Sequence, residues 1–188
     1  MIHEKKTVEI GDFLVAQPLL NDSNFNRTVV LVADHSTEEG TIGFVLNRAM
    51  ELKLHEVIGG VEPCDHLVYY GGPVQQDNLF FIHSLGALIP DSTPINEKLF
   101  WGGDFEVLRK KIAEGEIGTH QVRFLLGYSG WGESQLASEI EEKSWIVVPE
   151  NTINPLTENS EMMWKNVLLR MENDKRIWAN MPQNPILN

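Results

Sequence analysis

The chain is 188 residues long, 42% hydrophobic and 22% charged, the profile of a globular protein with a real core and the length of one domain, 1–188. Its formal net charge of −12 disfavours direct nucleic-acid binding, where affinity comes largely from Lys and Arg replacing counterions on phosphates. Cys64 stands alone and so excludes an intrachain disulfide framework. No stretch approaches the ~20 apolar residues of a membrane span, and Met1-Ile2-His3-Glu4-Lys5-Lys6 lacks a signal peptide's apolar core, so a cytoplasmic protein without membrane contact is expected.

Residues 28–33 (Thr-Val-Val-Leu-Val-Ala) form a β-branched apolar run, the pattern of a strand buried on both faces. The polar loop Ser36-Thr37-Glu38-Glu39-Gly40 leads into a second apolar run, 41–46, so the pair predicts a β-hairpin. Leu52, Leu54 and Val57 suggest a short helix ended by Gly59-Gly60. Residues 67–70 read as a third strand, cut off by Gly71-Gly72-Pro73, and 79–83 as a fourth, with the glycine turn allowing antiparallel pairing between them. A loop over 89–94 and a brief strand at 99–101 follow.

Residues 104–114 predict a convincing helix: Phe105, Leu108 and Ile112 share a face, Asp104 and Glu106 favour the first turn, and Gly115 supplies a stop. A strand over 122–126, a helix over 133–142, a strand over 145–148 and a helix over 161–171 complete the series. Trp164, Val167, Leu168 and Met171 fall at helical spacing in the last of these. The tail Met181-Pro182-Gln183-Asn184-Pro185 cannot continue a helix. Early strands joined by turns, with strand–helix–strand units only later, argue for an α+β fold with a mixed sheet.

Two glycine blocks stand out. Gly71-Gly72-Pro73-Val74 lacks the Gly-Lys-Ser/Thr of a phosphate loop and reads as a structural turn. Gly127-Tyr128-Ser129-Gly130-Trp131-Gly132 lies between a predicted strand and a predicted helix, where free N–H groups can meet an anion. However, its spacing is not GxGxxG, and Glu133 in the first helical turn would occupy that dipole. Ser129 invites comparison with a GxSxG nucleophile elbow, but Trp131 stands in place of the second glycine and no base is nominated. None of the six histidines shows metal-ligand spacing; Asp34 and His35, adjacent in a strand, point to opposite faces. Trp131, flanked by glycines, either anchors a partner or pins its loop to the core. No catalytic residue, cofactor or metal is implied.

Together these residues resemble the YqgE/AlgH family of bacterial proteins. The likeness runs from Gly11-Asp12-Phe13-Leu14-Val15-Ala16-Gln17-Pro18-Leu19 through Asp22, Phe25, Thr28-Val29-Val30-Leu31, His35 and Gly43-Phe44-Val45-Leu46-Asn47-Arg48. It continues through both glycine blocks, Gln135-Leu136, Glu139-Ile140 and Trp164, and ends at Pro185-Ile186-Leu187-Asn188. The resemblance implies a single-domain α+β protein with a coiled mixed, mainly antiparallel sheet flanked by helices. The family is largely uncharacterised; its usual label, transcriptional regulator, names no DNA-binding element and is better explained by an indirect route. Members commonly read Gly-x-Gly-Gln-Leu-Glu after the tryptophan, whereas this chain reads Gly132-Glu133-Ser134-Gln135-Leu136-Ala137.

Three functions remain open. A non-enzymatic regulatory or interaction protein predicts an exposed patch containing Trp131 or Tyr128, and a protein partner. A small-molecule sensor or enzyme predicts a pocket between Gly71-Gly72 and Gly127 to Trp131, with His35 or Asn47 as polar handles. Direct DNA binding predicts a basic surface around Arg109, Lys110 and Arg123. The candidate ligand or partner surface is therefore His35, Asn47, Gly71, Gly72, Pro73, Tyr128, Gly130, Trp131 and Gln135.

Overall fold

A computed structural model describes residues 2–181, with Asn173 and Asp174 described by backbone alone. The end of the tail, from Pro182, and the family-like terminus 185–188 lie outside the described residues.

The fold is α+β, built on a ten-stranded sheet that is mainly antiparallel. Its strands are β1 (Phe13–Ala16), β2 (Val29–Ser36), β3 (Gly40–Val45), β4 (Ala49–Lys53), β5 (Leu67–Tyr70), β6 (Val74–His83), β7 (Thr93–Pro94), β8 (Phe100–Trp101), β9 (Val122–Trp131) and β10 (Trp145–Val148). The main path runs β10-β1-β2-β3-β9-β6-β8-β7, while β4 pairs with β5 and β5 pairs with β9. The β5–β9 pair is parallel, which makes the sheet mixed. The helices are α1 (Leu54–Val57), α2 (Phe105–Ala113), α3 (Gln135–Glu141), α4 (Ser160–Arg170) and α5 (Asn173–Trp178).

Alternation explains why whole strands are apolar. On β1, Phe13 and Val15 join one core cluster and Leu14 and Ala16 another. On β2, Val29 and Leu31 likewise split from Val30 and Val32. Both faces are covered, so neither face tolerates a polar residue. The first cluster packs against Met163, Trp164, Val167 and Leu168 of α4. The second lies under Leu136 of α3, and a third joins Leu54 of α1 and Leu108 and Ile112 of α2 to Phe81 and Phe124.

Several sequence expectations are corrected. The strands at 67–70 and 79–83 do not pair with each other, because β9 runs between them, parallel to β5 and antiparallel to β6. The strand expected at 122–126 continues through the glycine block to Trp131, so no strand–loop–helix junction exists there. Helix α3 starts at Gln135, which leaves Glu133 outside its first turn. Leu52, expected in the short helix, lies on β4, and Thr93–Pro94 at the end of the expected loop pair with β8 as β7; β1 and α5 carried no expectation. The 28–46 hairpin, the helix expected at 104–114 and the strand 145–148 are present, with Asp104 serving as the N-cap of α2 and not as part of its first turn.

Candidate functional site

The two glycine blocks meet. Along one edge of β9, residues Phe124 to Leu126 pair with β5, and Ser129 to Trp131 pair with β3. The partner changes at Gly127, whose φ of 71° lies in the left-handed region. Gly71 closes the seam: its N–H donates to Leu126 O at 2.7 Å, and its carbonyl accepts from Val45 N–H at 2.8 Å. The crossing admits no side chain. A Cβ on Gly71 would lie 2.2 Å from Gly127 O, one on Gly72 2.2 Å from Tyr128 C, and one on Gly127 2.5 Å from Gly72 O. Opposite the seam, β6 bulges between Val74 and Leu79, leaving residues 75–78 exposed.

Ser129 is fully buried, and its Oγ donates to Gly71 O at 3.3 Å. That hydroxyl therefore adds a further tie across the same seam. Pro73 and Tyr128 are half-buried beside it and Gly130 is exposed. None of the five clefts described is lined by Gly71, Gly72, Pro73, Tyr128, Gly130 or Trp131.

Trp131 is 4% exposed, so of the two sequence readings its ring pins this segment to the core and is not a surface anchor. Its Nε1–H donates to Glu139 Oε2 at 2.8 Å, and Trp145 Nε1–H donates to the same oxygen at 2.8 Å. Gln135 Nε2 donates to Glu139 Oε1 at 2.9 Å, while its own Oε1 accepts from Gly132 N–H at 3.0 Å. The ring of Phe25 stacks on Trp131 and meets Trp145 edge-on. One carboxylate thus gathers three donors and fastens α3 to β9 and β10. Gln135 and Glu139 belong to this clamp; the sequence signal for it is their four-residue helical spacing.

His35 and Asn47 stand apart from any common cavity. Cross-strand pairing sets His35 opposite Thr41 and Thr41 opposite Trp131, and His35 Nδ1 bonds Thr41 Oγ1 at 2.8 Å. Asn47 accepts from Val29 N–H at 2.8 Å and donates to Arg27 O at 2.9 Å, standing in for a strand partner. It also lines a cleft of about 600 Å³ with Arg27, Arg48 and Glu161.

The expected basic surface is not contiguous. Arg109 pairs with Glu106, Lys110 with Glu114 at 3.9 Å and Lys111 with Glu116 at 2.7 Å. Arg123 is buried at 4% exposure. Among the described residues no group of three or more His, Cys, Asp or Glu is placed to hold a metal, and no helix is long and apolar enough to cross a membrane.

Comparison with known proteins bears on the same residues. The model of a family described as AlgH-like matches residues 13–176. A UPF0301 protein of Cytophaga hutchinsonii is 42% identical over 179 residues, covering 95% of this chain and 98% of its own length. One from Chlorobium limicola is 42% identical over all 188 residues, covering 100% of both chains. The solution structure of the AlgH protein from Pseudomonas aeruginosa superposes with a TM-score of 0.72 at 27% identity, over 96% of this chain and 98% of that one. A crystal structure from Corynebacterium diphtheriae, 24% identical with a TM-score of 0.72 over 95% of each chain, shares the fold.

Proposed function

This chain belongs to the AlgH-like family, and on that premise we propose that it works by binding, as a non-enzymatic regulatory or interaction protein. The observation that carries this reading is the seam: the most distinctive residues of the sequence are consumed by backbone contacts at 2.2–2.5 Å from any added Cβ. A reactive centre needs room for a substrate beside its nucleophile, and Ser129 Oγ has only Gly71 O. An effect on transcription would then be indirect, through a protein or a small molecule, because the cations of α2 are already matched by carboxylates.

Stoichiometry separates a binder from an enzyme. A partner cross-linked in the native host is purified and mixed with this protein, and its change in activity is followed against the molar ratio. A binding regulator reaches full effect near 1:1 and is reversed on dilution. An effect completed far below 1:1, or one that persists after the protein is removed, overturns the proposal. Ser129→Ala should leave the response unchanged.

A further inference from the structure

We infer that the cleft framed by the loop before β2, the β3–β4 turn and α4 docks an acidic segment of a protein partner; this rests on the interaction reading above and gives it a surface. The cleft has a volume of about 600 Å³, and Arg27, Arg48 and Lys165 bring its positive charge from those three elements.

Acidic residues outnumber basic ones in this chain, 27 to 15, so a cation has carboxylates to spare. Lys5 meets Asp12 at 2.6 Å, Lys53 meets Asp65 at 2.8 Å and Arg170 meets Glu158 at 2.9 Å. The cations of α2 are matched in the same way. Those of the cleft depart from that pattern: among the described residues, none of the three forms an ion pair.

Arg48 is half-buried. Its Nη1 donates to Ser23 O at 2.8 Å and its Nη2 to Asn26 O at 3.2 Å. Burial lowers its pKa, and Tyr70 and Asp22 offset that only in part. Arg27 lies over the Trp164 ring, 4.9 Å from its centroid, and donates through Nη2 to Met181 O. Asn47 Nδ2 donates to Arg27 O at 2.9 Å, which ties the turn carrying Arg48 to the loop carrying Arg27. A guanidinium has five N–H donors, so both forks are oriented while keeping donors for a carboxylate.

Lys165 is half-buried and, among the described residues, makes no hydrogen bond through Nζ. Glu161 stands one turn earlier, at the spacing of a helical ion pair, yet the two do not pair. Glu161 is also the one carboxylate among the residues lining the cleft. Three cations against one exposed carboxylate leave this cleft positive in a protein of net charge −12. An acidic partner is repelled elsewhere and drawn here, so charge sets its orientation as well as its encounter. Met162, 42% exposed, lines the same cleft. Arg and Met are both enriched in protein interfaces, and an apolar side chain beside the cations suits a peptide segment. A bare inorganic anion would leave it unused.

The site is tested by titrating 15N-labelled protein with a hexaglutamate peptide, a hexaglutamine peptide and inorganic phosphate at constant ionic strength. Saturable shifts at the backbone amides of Arg27, Arg48 and Lys165 are expected with hexaglutamate, at lower concentration than with phosphate and weakening as salt rises. Lys165→Glu should weaken hexaglutamate at least about tenfold and Lys165→Arg should retain it. Both should keep the parent's unfolding midpoint, since no described residue pairs with Lys165. Glu161→Gln should tighten binding several-fold. No saturable shift at these amides, equal binding of hexaglutamine or of phosphate, or full affinity in folded Lys165→Glu each overturns the site. The host-partner assay above separates it from the reading it rests on. A Lys165→Glu protein that still reaches full effect near 1:1 overturns the site alone, whereas an effect completed far below 1:1 overturns the interaction reading.

Discussion

Gly127→Ala isolates what the seam demands of the chain, because Gly102 provides a matched control. Both glycines have left-handed backbones, with φ of 71° and 66°. An alanine at either pays the left-handed penalty of about 1–2 kcal/mol. Their surroundings differ completely. A Cβ at Gly102 meets nothing within 4 Å, whereas one at Gly127 meets Gly72 O at 2.5 Å and Val74 O at 2.8 Å. Both obstacles are backbone atoms fixed by the sheet, so relief needs the strands to separate, adding about 1–3 kcal/mol or more of overpacking. Gly127→Ala should therefore cost about 2–5 kcal/mol and Gly102→Ala about 1–2 kcal/mol, read from urea unfolding with matched slopes. At this chain length each kcal/mol moves Tm by roughly 2–4 °C. Equal losses in the two variants would refute the reasoning, since crowding at the seam would then contribute nothing.

Three further outcomes follow from named contacts. Glu139→Ala strands the buried indole N–H groups of Trp131 and Trp145 and should cost about 2–4 kcal/mol, with a changed near-ultraviolet tryptophan spectrum. Ser134 holds a left-handed backbone, φ 59°, so Ser134→Gly should raise stability by about 0.5–1 kcal/mol in the same unfolding assay. His83 accepts Leu85 N–H at Nδ1 and faces Gly102 O with Nε2, an arrangement for the neutral ring, and burial lowers its pKa below 6.5. The unfolded chain then binds the proton more tightly, so stability is full above pH 6.5 and falls as pH drops through it, by up to about 1.4 kcal/mol per unit. Unfolding midpoints at pH 7.5 and 5.5 should differ less in His83→Gln than in the parent; an equal difference would refute this.

What could be read from the sequence was what local pattern decides. The apolar runs of β2 and β3 and the capped, one-faced helix α2 carry their own signals. The glycine block of β9 does not, because glycine marks a loop unless another backbone is known to press against it. That press comes from Gly71 and Gly72, more than fifty residues away in sequence as the seam shows, and only long-range pairing reveals it. The same pairing buries Trp131, which its glycine neighbours make look exposed. Arg123 was misplaced for a different reason. Its charge and its alternation with the buried Val122 and Phe124 both suggest a solvent-facing position, yet the strand is covered on both faces and Arg123 is buried, which period-two reading does not reveal. β1, only four residues long between Asp12 and Gln17, is too short for periodicity to separate from a loop.

Native-state hydrogen exchange at the seam tests most directly whether the glycine blocks are architecture or a working loop. The amides of Gly71 and Val45, which close the junction of β3, β5 and β9, are predicted to exchange only through global unfolding, with protection tracking the stability measured in urea. Exchange at those two amides by local opening, independent of added denaturant, would contradict the account.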